Sequence, residues 1–239
     1  MLDFFFVLIP KYMPFLLQGA IVTLELSVIS MVFAIVIGLV CALGRTSGNP
    51  ILNGIVVVYV EIIRDVPLLV VLLVIYFTLP QIGLSLPGFW AGVLGLSLNV
   101  GAYLSEVFRA ALGSVDKGEK EAGLSIGMSS FTVFRRVTLP QALRIATPTV
   151  GGYFISLLKD SSLVSFIAVN ELMRHGTILI SNTFRSMEIY MMVAMVYFVM
   201  SFVIARAVRY IEHVLTPRYL RIKRKADDAA GAAIELKPA

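Results

Sequence analysis

The residues Lys159-Asp160-Ser161-Ser162 combine a cation, a carboxylate and two hydroxyls inside an otherwise apolar run. Counted from the apolar start at Ala146, Asp160 lies about fourteen residues along. At about 1.5 Å per residue that is roughly 21 Å into a hydrocarbon layer about 30 Å thick. A carboxylate facing lipid there costs ~2.5–3.5 kcal/mol on insertion scales. Asp160 is therefore expected to face protein or a water-filled cavity. In a cavity it suits a cationic group of a solute, with Ser161 and Ser162 adding donors. Against protein it pairs with Lys159 or with an arginine of another span. If the span ends at Leu158, Asp160 is interfacial instead. Glu61, Asn99 and Ser162 are further candidates for the same solute path. Glu61 stands three residues from Arg64 and could pair with it, and Asn99 could hydrogen-bond between helices with no solute.

Covalent and metal chemistry find little support. Cys41 is the single cysteine, and His175 and His213 stand far apart with no cysteine beside them. No G-x-x-x-x-G-K-[ST] loop occurs, so any ATP and Mg used in transport are expected on a partner, with no cofactor on this chain. Residues 218–225 carry five positive charges. Beside a hydrophobic span they read as a cytoplasmic flank rather than a nucleic-acid contact.

The elements that position these residues follow from composition. The chain is 58% hydrophobic and 15% charged, where a soluble domain has about 45–50% apolar and about 25% charged residues. This predicts an all-α membrane protein of five transmembrane helices, at about 19–44, 56–79, 89–112, 145–169 and 189–205. Arg45 to Pro50 reads as a polar turn. Glu106 and Arg109 share a helical face at a membrane boundary. Pro148 and Gly151-Gly152 weaken span four, which could be kinked or broken at depth. With the N-terminus outside, segments 44–55, 113–144 and 206–239 hold fourteen Lys and Arg, and segments 1–18, 80–88 and 170–188 hold three. The positive-inside rule then places the C-terminus in the cytoplasm. Residues 1–220 are expected to form a single permease domain, and 221–239 a basic, then flexible, cytoplasmic tail. Such a chain moves a small polar solute; an ion-coupled secondary transporter is the alternative class.

The inner loop 113–144 is long for a connection without a task. Asp116 can cap a short helix, with Glu119 at the capping-box position, and Ser129 or Ser130 can cap a second that carries Phe131 and Phe134 on one side. Pro140 is expected to stop it. Such a helix suits docking to another protein or lying on lipid.

Glu121-Ala122-Gly123-Leu124-Ser125-Ile126-Gly127, followed by Leu139-Pro140, resembles the EAA loop of ABC importer membrane subunits. Four further stretches resemble one branch, the polar amino-acid (histidine/glutamine) permease family: Gln18 to Leu24, Tyr59 to Val70, Asn99 to Arg109 and Leu158 to Leu163. The resemblance covers roughly residues 12–220. Gly123 replaces the usual second Ala, and Asp65-Val66 stands where Gly-Thr is common before the proline. The resemblance implies a second permease subunit, identical or homologous, two ATPase subunits that bind ATP and Mg, and an extracytoplasmic solute-binding protein. It implies an amino-acid substrate and a multi-pass place in the bacterial cytoplasmic (inner) membrane, among lipid. Glu121, Gly127, Phe131, Phe134, Arg135 and Arg136 would form the ATPase-coupling helices, with Gly127 at the turn.

Overall fold

The computed structural model describes residues 8–215, all helix and short connection. The N-terminal seven residues and the basic tail expected at 221–239 lie outside the described residues. Four helices are long and apolar enough to cross a membrane: Ile9–Thr46, Gly88–Gly113, Ser130–Ile167 and Ser186–Val214. A bent pair, Pro50–Asp65 and Leu68–Ile82, makes a fifth if counted as one span.

Helix α1 (Ile9–Thr46) buries Thr23, Ser27, Ser30, Ala34, Gly38 and Ala42, while Ile21, Val28, Val32, Val36 and Val40 face outward. Small residues inside and large apolar ones outside reverse the soluble pattern and fit a lipid surround. The helix starts ten residues before the expected Gly19. Pro10 falls in its first turn, where a missing N–H costs nothing, and Pro14 frees only a carbonyl near the helix end. Helix α4 (Gly88–Gly113) lies across α1 and matches its expected bounds within one residue. The two backbones approach at Gly38 and Gly101. A Cβ on Gly38 would stand 2.7 Å from Leu104, and one on Gly101 would stand 2.8 Å from Ile37.

The expected second span is not one helix. It divides into α2 (Pro50–Asp65) and α3 (Leu68–Thr78), which are bent by 107°. Val66 precedes a proline and takes extended angles (φ −88°, ψ 131°), because the proline ring disfavours a helical residue before it. Asn49 caps α2 by accepting from the Ile51 and Leu52 amides at 3.0 and 3.3 Å.

Span four also begins earlier than expected. After α5 (Lys117–Ser125), α6 (Ser130–Val133) runs through a π turn (Phe134–Thr138) into α7 (Leu139–Asp160). Pro140 does not stop this helix. Its ring would strike the Arg136 carbonyl in a regular helix, and the wider π turn relieves that clash. The helix also passes Pro148 and Gly151-Gly152 without ending. It tightens to a 3₁₀ segment at Ser161–Ile167, so residues 159–162 mark its change of pitch rather than its middle.

Helix α8 (Leu172–Thr183) lies where the sequence suggests only an outer connection. Helix α9 (Ser186–Leu215) extends well past residue 205, and the Arg206 guanidinium sits 5.1 Å from the Phe202 ring centre. Glu171 joins three of these helices. Fully buried, it accepts from the Met173 and Arg174 amides of α8 at 2.9 and 2.8 Å, and from the Tyr197 hydroxyl of α9 at 2.7 Å. Thr23 of α1 stands 3.4 Å away and accepts from the Leu172 amide at 3.1 Å. Burial pushes the Glu171 carboxyl above the usual carboxylate range, and the hydrogen bonds from Met173, Tyr197, Arg174 and Thr23 oppose that shift. Glu171→Ala should cost on the order of 3 kcal/mol, because the Tyr197 hydroxyl and two amides lose their acceptor. Thermal unfolding in neutral detergent measures it, and an unchanged midpoint would contradict this role.

Candidate functional site

The break between α2 and α3 opens a cavity of about 390 Å³ against α4 and α7. The break supplies Arg64, Asp65 and Pro67. Helix α4 supplies Asn99 and Tyr103, and α7 supplies Tyr153, Ser156 and Asp160. Asn99 lies eleven residues from the first residue of α4 and fourteen from the last, which is about 17 and 21 Å along the axis. The cavity is therefore near half height in the bundle.

Its polar groups are placed by local structure. Asn99 Nδ2 donates to the Ile63 carbonyl at 3.4 Å, one of the last carbonyls of α2 before the break. Tyr103 and Tyr153 stack with centroids 5.6 Å apart. The Arg64 guanidinium lies 5.2 Å from the Tyr103 ring, a cation–π distance, and the Tyr103 hydroxyl is 3.5 Å from the Arg64 carbonyl. Asp160 is half-buried on the wall, and among the described residues its carboxylate has neither hydrogen bond nor ion pair. Neither Lys159, which is exposed, nor an arginine of another span pairs with it.

Of the four residues expected on a solute path, Asn99 and Asp160 meet here. Glu61 is exposed on α2, makes no ion pair with Arg64, and does not line the cavity. Ser162 lies in the 3₁₀ segment, where its carbonyl accepts from Ser165 at 2.7 Å, and it too is off the cavity wall. Ser161 is buried and donates to the Leu158 carbonyl at 2.7 Å, which uses it on the backbone. Arg64, Asp65, Tyr103 and Tyr153 were not singled out for this cavity. The signal for the first two was a charged pair just ahead of a Val-Pro step in an apolar run.

A second constellation lies at the other end of α4. Glu106 accepts from Arg109 at 3.0 and 2.8 Å and from Arg45 of α1, which fixes the boundary pair expected there. Beyond it, Asp116 caps α5 by accepting from the Gly118 amide at 2.6 Å. Glu119 bonds Gln141 rather than closing a capping box. Helices α5 and α6 form a hairpin, and Gly127 ends its first helix with φ +84°. The Gly127 amide donates to Leu124 and the Met128 amide to Gly123, the double bond of a Schellman stop. Ser129 caps α6. Glu121, Arg135 and Arg136 are exposed. Phe131 is 70% exposed beside Leu124 and Ile126, whereas Phe134 is half-buried against the core of α1, α4 and α7. Of the two phenylalanines, Phe131 is the one fully presented outward.

Comparison with known proteins fits this geometry. The family described as "Binding-protein-dependent transport system inner membrane component" matches residues 34–216. The probable amino-acid permease protein YxeN of Bacillus subtilis (strain 168) is 42% identical over 193 residues, covering 80% of this chain and 86% of the relative. The glutamine transport system permease protein GlnP of Escherichia coli (strain K12) is 39% identical over 201 residues, covering 83% and 92%. A chain in the crystal structure of an amino acid ABC transporter with histidines superposes with a TM-score of 0.80 at 38% identity, covering 87% of this chain and 97% of that one.

The hairpin turn yields a direct test. No atom lies within 4 Å of a Cβ placed on Gly127, so only the positive φ restricts this position. Gly127→Val should cost about 1–2 kcal/mol through that angle alone. Hydrogen exchange should accelerate at 117–133 and stay unchanged in α1 and α4. Unaltered exchange in the hairpin would contradict the turn's role.

Proposed function

The chain belongs to the family of binding-protein-dependent transport system inner membrane components, and from that membership we propose that it is the permease subunit of an ATP-driven amino-acid importer. As a permease subunit of an ABC transporter it performs no covalent step itself; its work is to open a polar path through hydrocarbon. The observation that carries the reading is the half-height cavity with an unpaired carboxylate on its wall. Asp160 accepts the ammonium group of the solute there, and Asn99 adds hydrogen bonds. The cavity holds two carboxylates, Asp65 and Asp160, against one guanidinium, Arg64. That balance favours an amino acid with an additional positive charge. Ser162 and Glu61 join the path only if the helices carrying them shift.

The proposed setting is a bacterial inner membrane crossed five times, with the N-terminus outside, the C-terminus in the cytoplasm, and residues 1–220 as one permease domain ahead of the tail. Two such subunits, identical or homologous, sit on two ATPase subunits, and an extracytoplasmic binding protein delivers the solute. The hairpin of α5 and α6 meets the ATPase through Phe131, with Phe134 bracing it from behind. Gly127 sets its angle, while Glu121, Arg135 and Arg136 form the charged rim. Movement of the ATPase pulls on α7, because α6, the π turn and α7 form one continuous helix that ends at Asp160.

Reconstitution in proteoliposomes with the partner ATPase and binding protein tests this. Uptake of a basic amino acid should require ATP inside, and uptake driven by an ion gradient without ATP would overturn the reading. Asp160→Asn keeps the shape and removes the charge. It should lower uptake about 10- to 100-fold, the worth of one charge-assisted hydrogen bond, with the complex still assembled. Full uptake with unchanged preference would remove Asp160 from the path.

A further inference from the structure

A cavity of about 630 Å³ lies elsewhere, between the ends of α1 and α4 and the inner side of the hairpin. Its ionisable lining is wholly cationic: Arg45, Arg109 and Lys120. Glu106 bonds both arginines, so one carboxylate stands against three cations and two positive charges remain unmatched. Lys120 Nζ reaches the Leu112 carbonyl at 3.4 Å, which holds its charge at the rim. The rest of the wall includes Leu124 and Val133 of the hairpin.

We propose that this cavity binds the headgroup of an anionic phospholipid, whose phosphate faces Arg109 and Lys120 and whose acyl chain covers the apolar wall. Three observations converge on this occupant. Arg45 stands in the last turn of α1 and Arg109 four residues before the end of α4, both membrane-crossing helices, near the depth at which headgroups lie. The wall combines three cations with the apolar side chains of Leu112, Leu124, Val133 and Phe134, which matches an amphiphile; a soluble anion would leave the apolar part wet. The cavity is also far larger than a bare phosphate needs. Basic pockets at the cytoplasmic ends of helices are general sites for acidic headgroups. The bound lipid would brace the hairpin that meets the ATPase against the ends of α1 and α4. Anionic lipid would then stiffen the coupling element. The inference rests on the proposed orientation, which puts this end in the cytoplasmic leaflet. Its test does not involve transport, so the two readings can fail separately.

The assembled complex in neutral detergent is titrated with dioctanoyl phosphatidylglycerol, dioctanoyl phosphatidylcholine and inorganic phosphate, and the thermal midpoint is followed. Phosphatidylglycerol should raise the midpoint saturably, and the other two should not. Lys120→Gln keeps a donor for the Leu112 carbonyl and should raise the half-saturating lipid concentration about fivefold, the worth of one basic residue near an acidic headgroup. Arg109→Gln combined with Lys120→Gln should abolish the effect. An equal rise with inorganic phosphate would make the site one for soluble anions. An unchanged response in Lys120→Gln would place the lipid elsewhere. A rise seen in the permease alone but absent once the ATPase is bound would assign the cavity to a protein contact. Each of these three results overturns the proposal.

Discussion

Hydrocarbon offers no hydrogen bonds, so each polar group inside this bundle needs a partner from the protein, water or a solute. Two acidic residues answer that constraint in opposite ways. Glu171 is saturated by two helix-end amides and the Tyr197 hydroxyl, with Thr23 at its side. It is part of the scaffold and ties α1, α8 and α9 together. Asp160 lies against a cavity at half height and makes no hydrogen bond or salt bridge among the described residues, with only the charge of the neighbouring Lys159 acting on it. A saturated carboxylate stabilises the fold, whereas one left open is costly unless something else fills the site. On this difference, rather than on the presence of charge in an apolar run, rests the proposal that Asp160 lies on the solute path.

The same constraint explains where the helices are irregular. A break in lipid would expose backbone amides and carbonyls, so breaks are tolerated where protein or a wet cavity receives them. The Val66-Pro67 break opens onto the cavity, and Asn99 bonds a carbonyl just before it. The change from α to 3₁₀ at Ser161 is steadied by Ser161 bonding the Leu158 carbonyl. The π turn at Phe134–Thr138 lies at the opposite end of the same long helix, next to the hairpin. The half-height cavity and the hairpin are thus joined by one rigid element with an irregular turn at each end. That geometry can pass movement along some 20 residues without a chain of side-chain contacts.

Legibility in the sequence followed the same physics. Helix α4 was read within one residue because Pro87-Gly88 and the Gly113-Ser114 end interrupt a clean apolar run. Asn99 and Asp160 were legible because polarity in hydrocarbon has a known cost. The turn at Gly127 was legible because few residues other than glycine take its backbone angle readily. The bend at Pro67 was missed, since hydropathy continues across it and only the residue-before-proline rule speaks against a straight helix. The early start of span four was missed because Pro140 has the sequence appearance of a stop, and a π turn leaves no compositional mark. Helix α8 was hidden in a segment of mixed polarity, and its cap, Glu171, is not one of the residue types that mark a helix start in sequence. The aromatic wall of Tyr103 and Tyr153 could not be read at all, because those residues belong to helices far apart in sequence and meet only through packing.

The central claim is that Asp160 is left unpaired by the protein so that a solute can pair with it. The most direct measurement is a cryo-electron-microscopy structure of the complete transporter, with its ATPase subunits and with a basic amino acid supplied. The account predicts density for the amino acid in the cavity between Arg64, Asn99 and Tyr153, with its ammonium within hydrogen-bond distance of the Asp160 carboxylate. A structure in which Asp160 is paired with a lysine or arginine of the neighbouring permease subunit, and the amino acid lies elsewhere, would contradict it.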